Sequence, residues 1–148
     1  MNDKLGEQLR AALNAARKDR DQHRTLLYST TLSDIRNREI EANHALDDAE
    51  VVEVLRRGIR KRRESVEAFR AGGRTDAADR EQFEITELER YLPPAVPEEE
   101  IRAAVRAAIA GGARDVGKLM GAVMPQFKGR AEGKDVNRIA REELAATS

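Results

Sequence analysis

"VVEVLRRGIRKRRESVEAFRAGG", residues 51–73, sets the fold class. Val51, Val52, Leu55, Ile59, Val66 and Phe69 recur at helical intervals and share one side of a 3.6-residue helix. Asp47 or Asp48 stands ahead as an N-cap, and Gly72-Gly73 stops the segment. Thr75 or Asp76 then caps a further run carrying Phe83, Ile85, Leu88, Tyr91 and Leu92, so the short turn makes an antiparallel helical hairpin. The basic run at 56–63 (Arg56, Arg57, Arg60, Lys61, Arg62, Arg63) faces Asp76, Asp79, Glu81, Glu84, Glu87 and Glu89 across that hairpin. Internal pairing of much of this charge is expected, with an RNA handle as the rival reading. Gly58 lowers helix stability by about 1 kcal/mol relative to Ala, which suggests close helix packing there.

Outward from the hairpin the same period continues. Leu5, Leu9, Leu13 and Ala16 make one amphipathic helix; Leu27, Tyr28, Leu32, Ile35 and Ile40 make another, to about His44. "YLPPAVP" at 91–97 ends the fourth helix, because proline lacks an N–H and biases its predecessor away from helix. Residues 93–97 then read as a stiff connector between a four-helix domain (1–92) and a three-helix domain (98–148). In the latter, Pro97 suits the first turn of a helix with Glu98, Glu99 and Glu100 at its positive end and Ile101, Val105 and Ile109 inward. Asp115 caps the next helix, where Val116, Leu119, Met120, Val123 and Phe127 face in and Gly117 and Gly121 leave a bare strip for another backbone. Pro125 kinks or ends it, and the last helix, with Val136, Ile139, Ala140 and Leu144, frays into "AATS". The expected architecture is all-α: an N-terminal four-helix bundle and a C-terminal three-helix bundle.

Composition narrows the function. At 148 residues with 3% aromatics and no Trp, the core is built from aliphatic side chains. The 27 basic and 27 acidic residues balance, so any attraction to a polyanion is local. Without cysteine there is no disulfide, thiolate chemistry or Cys-ligated zinc. "MNDKLGEQLR" lacks the apolar core of a signal peptide and no apolar run nears the ~18 residues that cross a bilayer, so a soluble cytoplasmic protein without membrane partners is expected.

The local charge lies near the carboxy end. In "KGRAEGKDV" at 128–136, Gly129 and Gly133-Lys134 echo a Walker loop but fail it, since three residues separate the glycines, Asp135 follows the lysine and no strand precedes. Residues 114–141 nevertheless hold seven basic and three acidic side chains. Lys128, Arg130, Lys134, Arg138 and Arg141 gather at the head of the last helix, where unpaired amides favour an anion. The bland alternative is a solvated turn. His23 and His44 have no companion at ligand spacing, so no metal site is expected and both imidazoles should face solvent. No nucleophile, general base or cofactor motif stands out, so no catalytic residue is assigned.

Three stretches carry a resemblance to a known family: "RRESVEAFRAGGRTD" at 62–76, "ELERYLP" at 87–93 and "GKLMGAVMPQFKGRAEGKDVNRI" at 117–139. Over nearly its whole length the chain resembles the bacterial YqeY proteins of the GatB/YqeY family. That resemblance implies a four-helix and a three-helix bundle. It also implies a likeness to the tail domain of the B subunit of tRNA-dependent amidotransferase, which helps hold tRNA, and to a domain appended to some glutaminyl-tRNA synthetases. The implied RNA contacts fall on Gly121, Lys128, Gly129, Arg130, Gly133 and Lys134, and the neighbouring cations Lys118 and Arg138 join them as RNA-binding candidates. The implied partners are tRNA and a synthetase or amidotransferase subunit. Ser in many members is Pro97 here, and Asp or Asn is Glu132, a poorer cap by on the order of 1 kcal/mol. The amidotransferase catalytic domain has no counterpart in this sequence, so an accessory, non-catalytic role is expected. A helical protein-interaction module and a ligase active with glutamine are the alternatives.

Overall fold

A computed structural model describes residues 4–147. Met1–Asp3, the start of the stretch read for a leader, and Ser148 of the terminal "AATS" lie outside the described residues. Those described form seven helices and no strand: α1 (Lys4–Lys18), α2 (Gln22–Ala42), α3 (Asp48–Ala71), α4 (Thr75–Glu89), α5 (Glu98–Ala110), α6 (Val116–Phe127) and α7 (Gly133–Thr147). The fold is all-α. Backbone proximity divides the chain into two compact units, meeting in sequence at Leu92 and Pro93.

In the first unit, Leu9, Leu27, Tyr28, Leu55, Ile59, Ile85 and Leu88 are at the centre of the core. Asp47 closes a capping box on α3: it accepts from Glu50 N at 2.8 Å, and its own N–H donates to Glu50 Oε1 at 3.1 Å. Asp48, the other cap candidate, accepts from Leu5 N at 3.1 Å instead. That bond sets the starts of α1 and α3 side by side.

Several sequence expectations shift. The α4 cap position is Arg74, with no side-chain cap, and Thr75 is already helical. The hairpin is closed by backbone instead: Arg74 N donates to Phe69 O at 2.7 Å around Gly73 at φ +74°, and the Arg74 guanidinium lies over the Phe69 ring. The close neighbour of Gly58 is the Arg62 guanidinium, 3.0 Å from where a Cβ would sit, and not another helix. Ile40, counted with the inward stripe of α2, is 69% exposed, and Leu46 from the following loop fills the core. α2 ends at Ala42, where Asn43 takes a left-handed conformation and returns its N–H to Glu39 O.

The second unit has its own core of Ile101, Val105, Ile109, Leu119, Val123, Phe127, Val136, Ile139 and Ala140. Pro97 occupies the N-cap position of α5, one residue before the expected first turn, with Glu98 first in the helix. Asp115 caps α6 by accepting from Lys118 N at 2.8 Å. α6 runs through Pro125 to Phe127, and α7 continues to Thr147, past the expected fraying.

Candidate nucleic-acid interface

The 128–132 turn is built around Gly129, whose φ of +76° favours a residue without Cβ. Its neighbours fold inward: the N–H groups of Arg130 and Ala131 both donate to Phe127 O, at 2.8 and 3.0 Å. Gly129 and Ala131 are buried. Gly129 is therefore a turn residue and not a surface contact, and two of the amides expected to greet an anion are already used. At the head of α7, the amides of Asp135 and Val136 return to Glu132 O.

The cations around this turn divide by type. Arg130 pairs with Glu100 at 3.1 Å and lies over the Phe127 ring, 5.7 Å from its centre. Arg138 pairs with Glu98 and, at 3.2 Å, with Glu142. Arg141 donates to Asn137 Oδ1 at 2.9 Å. The arginines thus fold back onto the protein's own acceptors, against the outward-facing arrangement the sequence suggested. The lysines do not: Lys118, Lys128 and Lys134 are exposed and have no side-chain partner among the described residues.

These lysines do not converge on one point. Lys128 and Lys134 flank the turn, while Lys118 lies at the other end of α6, about 15 Å away by helical rise. Between them run Gly117, Gly121 and Pro125, all exposed, at four-residue spacing along one face of α6. No heavy atom lies within 4 Å of a Cβ built on Gly121, so nothing in the chain's own packing calls for glycine there. The site is a strip of small residues on α6, with Pro125 at one end, the Asp115 carboxylate 3.3 Å from a Cβ position on Gly117 at the other, and a lysine near each end.

Behind it, α5 is held to α7 by a charge ladder. Arg102 pairs with Glu98, Glu142 and Glu143, and Arg106 pairs with Glu99 and Glu143. Hydrogen bonds from Arg138 hold the Glu98 carboxyl below the usual range; those from Arg102 and Arg106 do the same for Glu142 and Glu143.

The rival basic surface on α3 is partly spent. Arg62 pairs with Glu84 at 2.8 Å, Arg63 with Glu89 at 3.1 Å and Arg70 with Asp79 at 3.8 Å, while Arg56 is buried. Arg57 and Lys61 stay exposed, interspersed with Glu53 and Glu64.

Sequence reading missed a polar cluster in the first unit. Glu87, only 5% exposed, accepts from the Tyr28 hydroxyl, from Arg24 at 3.1 Å and from Arg90 at 3.2 Å, and Tyr91 OH donates to Tyr28 OH. Burial would raise the Glu87 carboxyl, but the hydrogen bonds from Arg24 and Tyr28 prevail and hold it below its ordinary range. Burial, then the bond to Glu87, pushes the Tyr28 phenol up. His23 is not a free solvent-facing imidazole: its Nε2 lies 2.8 Å from Glu84 Oε2 and its ring 4.9 Å from that of Phe83. His44 is exposed. No group of three metal-ligating side chains occurs among the described residues, and no helix among them is long and apolar enough to cross a membrane.

Comparison with known proteins agrees with the signature and broadens it. The chain is 30% identical over 144 residues to "Altered inheritance of mitochondria protein 41, mitochondrial" of Pyrenophora tritici-repentis, covering 93% of this chain and 80% of that protein. It is 29% identical over 85 residues to an uncharacterised protein of Schizosaccharomyces pombe, covering 57% of this chain and 69% of the relative. These relatives are fungal, and the first is named as mitochondrial, so the likeness is not specifically to bacterial proteins. The model of the Yqey-like protein family matches residues 6–144, and the chain belongs to that family.

Proposed function

We propose that this protein is a non-catalytic, tRNA-binding accessory module that assists tRNA-dependent amidation or glutaminyl-tRNA synthesis, in the cytoplasm of a bacterium. The reading rests on one observation: the exposed glycine-proline strip of α6, from Gly117 through Gly121 to Pro125, carries exposed and unpaired lysines near both ends in a molecule of zero net charge. The missing Cβ atoms at Gly117 and Gly121 let a ribose-phosphate backbone approach the helix closely, and the lysines supply point charges for phosphate. Recognition is by shape and charge, because only two Tyr and three Phe occur in the chain and few are placed to stack on bases. The partner enzyme, an aminoacyl-tRNA synthetase or amidotransferase subunit, supplies the chemistry.

Titrating total tRNA against the protein at two salt concentrations tests this. Three lysines on three phosphates weaken binding by roughly twenty- to forty-fold between 50 and 200 mM salt. Replacing Lys118, Lys128 and Lys134 together by Ala abolishes most of the affinity; unchanged affinity overturns the assignment.

A second reading, a helical protein-interaction module, draws on the same strip, since a glycine-lined helix face also admits another helix. Salt-insensitive binding to a protein, with no tRNA retained, favours it.

A further inference from the structure

The arginines beside this strip are held, and their holders sit together. Glu98 and Glu100 open α5, both exposed, and they take Arg138 and Arg130 respectively. For Arg130, Glu100 is the sole acidic partner among the described residues, at 3.1 Å with both side chains about half exposed (53% and 50%). A carboxylate on an arginine offers the same paired oxygens as a phosphate on an arginine. A pair of this kind is comparable in strength to one phosphate contact near 150 mM salt, so the carboxylate can withhold its arginine from a polyanion bound alongside.

We infer that Glu98 and Glu100 are internal competitors for phosphate: they hold Arg138 and Arg130 and keep these two arginines from a polyanion that the exposed lysines bind, which lowers the protein's affinity. The inference rests on the proposed RNA-binding role and adds its regulation. The lysines make the contacts, and each arginine joins them only where its carboxylate partner is lost. Arg130 is placed for this, since its stem leaves the turn between Lys128 and Lys134 and the Phe127 ring keeps its guanidinium at that surface. Arg138 is held more firmly, because Glu142 retains it when Glu98 lets go. Arg102 takes no part: Glu142 and Glu143 keep it in the α5–α7 ladder.

The test compares Glu100→Gln, Glu98→Gln and the double variant with the wild-type chain, using total tRNA as the probe across 50–200 mM salt. Glu99→Gln is the control, because it changes the charge equally but releases only Arg106, which Glu143 still holds. Each arginine that gains a phosphate tightens binding about fivefold near 150 mM salt and steepens the log–log salt slope by about 0.9. Glu100→Gln therefore binds about fivefold tighter with a steeper slope, Glu98→Gln gains less, and Glu99→Gln gains little. Adding Arg130→Ala to Glu100→Gln cancels the gain.

If wild type binds tRNA and Glu100→Gln binds no tighter than Glu99→Gln, the competitor inference is overturned and the RNA-binding reading stands. If neither wild type nor the double variant binds tRNA, both fail. Binding by the double variant alone overturns both, because the exposed lysines of the wild type then do not suffice to hold tRNA.

Discussion

Replacing Gly121 by alanine separates what this residue does for the fold from what it does for a ligand. Gly121 lies within α6, and a Cβ added to it meets no heavy atom within 4 Å. Glycine inside a helix is less stable than alanine by roughly 0.5–1 kcal/mol, because its unfolded backbone has more freedom to lose. With open space around it, alanine recovers that difference in full. If the three-helix unit melts independently, its midpoint rises by about 4–9 °C, given the melting entropy of a domain this small. In the RNA-binding account the same methyl stands between the helix backbone and a bound phosphate backbone. Steric misfit on that scale costs about 1 kcal/mol or more, which weakens tRNA binding by about fivefold or more. Thermal melts followed by circular dichroism, together with tRNA titrations of the same preparation, read both effects. A lower midpoint refutes the reasoning about packing around Gly121. A higher midpoint with unchanged tRNA affinity refutes the claim that the strip touches RNA.

Further outcomes concern the four-helix unit. Tyr28→Phe removes a buried hydroxyl that both donates to Glu87 and accepts from Tyr91, and lowers stability by about 1–3 kcal/mol in urea denaturation. The Glu87 carboxyl is depressed in the folded state, so its contribution is complete above the unfolded value of about 4.3 and is lost as pH falls through the folded value. Stability measured from pH 6 down to pH 3 thus falls at the acid end, and Glu87→Gln flattens that fall. Asp47→Ala opens the capping box of α3 and costs about 1 kcal/mol, read as a lower denaturation midpoint with an unchanged m-value.

The helices were most legible where they hide a clean apolar stripe: Leu5, Leu9 and Leu13 in α1, or Ile101, Val105 and Ile109 in α5, can face only one way. α2 was harder. Tyr28 and Thr31 face inward while Leu26 and Ile40 face out, because this helix buries a polar cluster as well as an apolar stripe, and periodicity ranks residues only by hydropathy. Caps with a side-chain acceptor at the right offset, Asp47 and Asp115, could be read from position. Arg74 could not, since the α3–α4 turn is closed by main-chain bonds around Gly73. At the candidate site the sequence shows which cations are near the turn but not which are engaged. Glu98 and Glu100 lie about thirty and more residues from the arginines they hold, and only the packing of α5 against α7 brings them together. The Arg24–Tyr28–Glu87 cluster is hidden for the same reason, with some sixty residues between its members. A Tyr four residues after an Arg, set against a glutamate on an inward helix position, was the available signal.

The most direct test of the whole account is the affinity of the purified protein for tRNA at 50 and 200 mM salt. Binding that weakens by roughly twenty- to forty-fold across that interval is the result three engaged lysines require. Affinity that stays level over the same interval, or no binding at the lower salt, contradicts it.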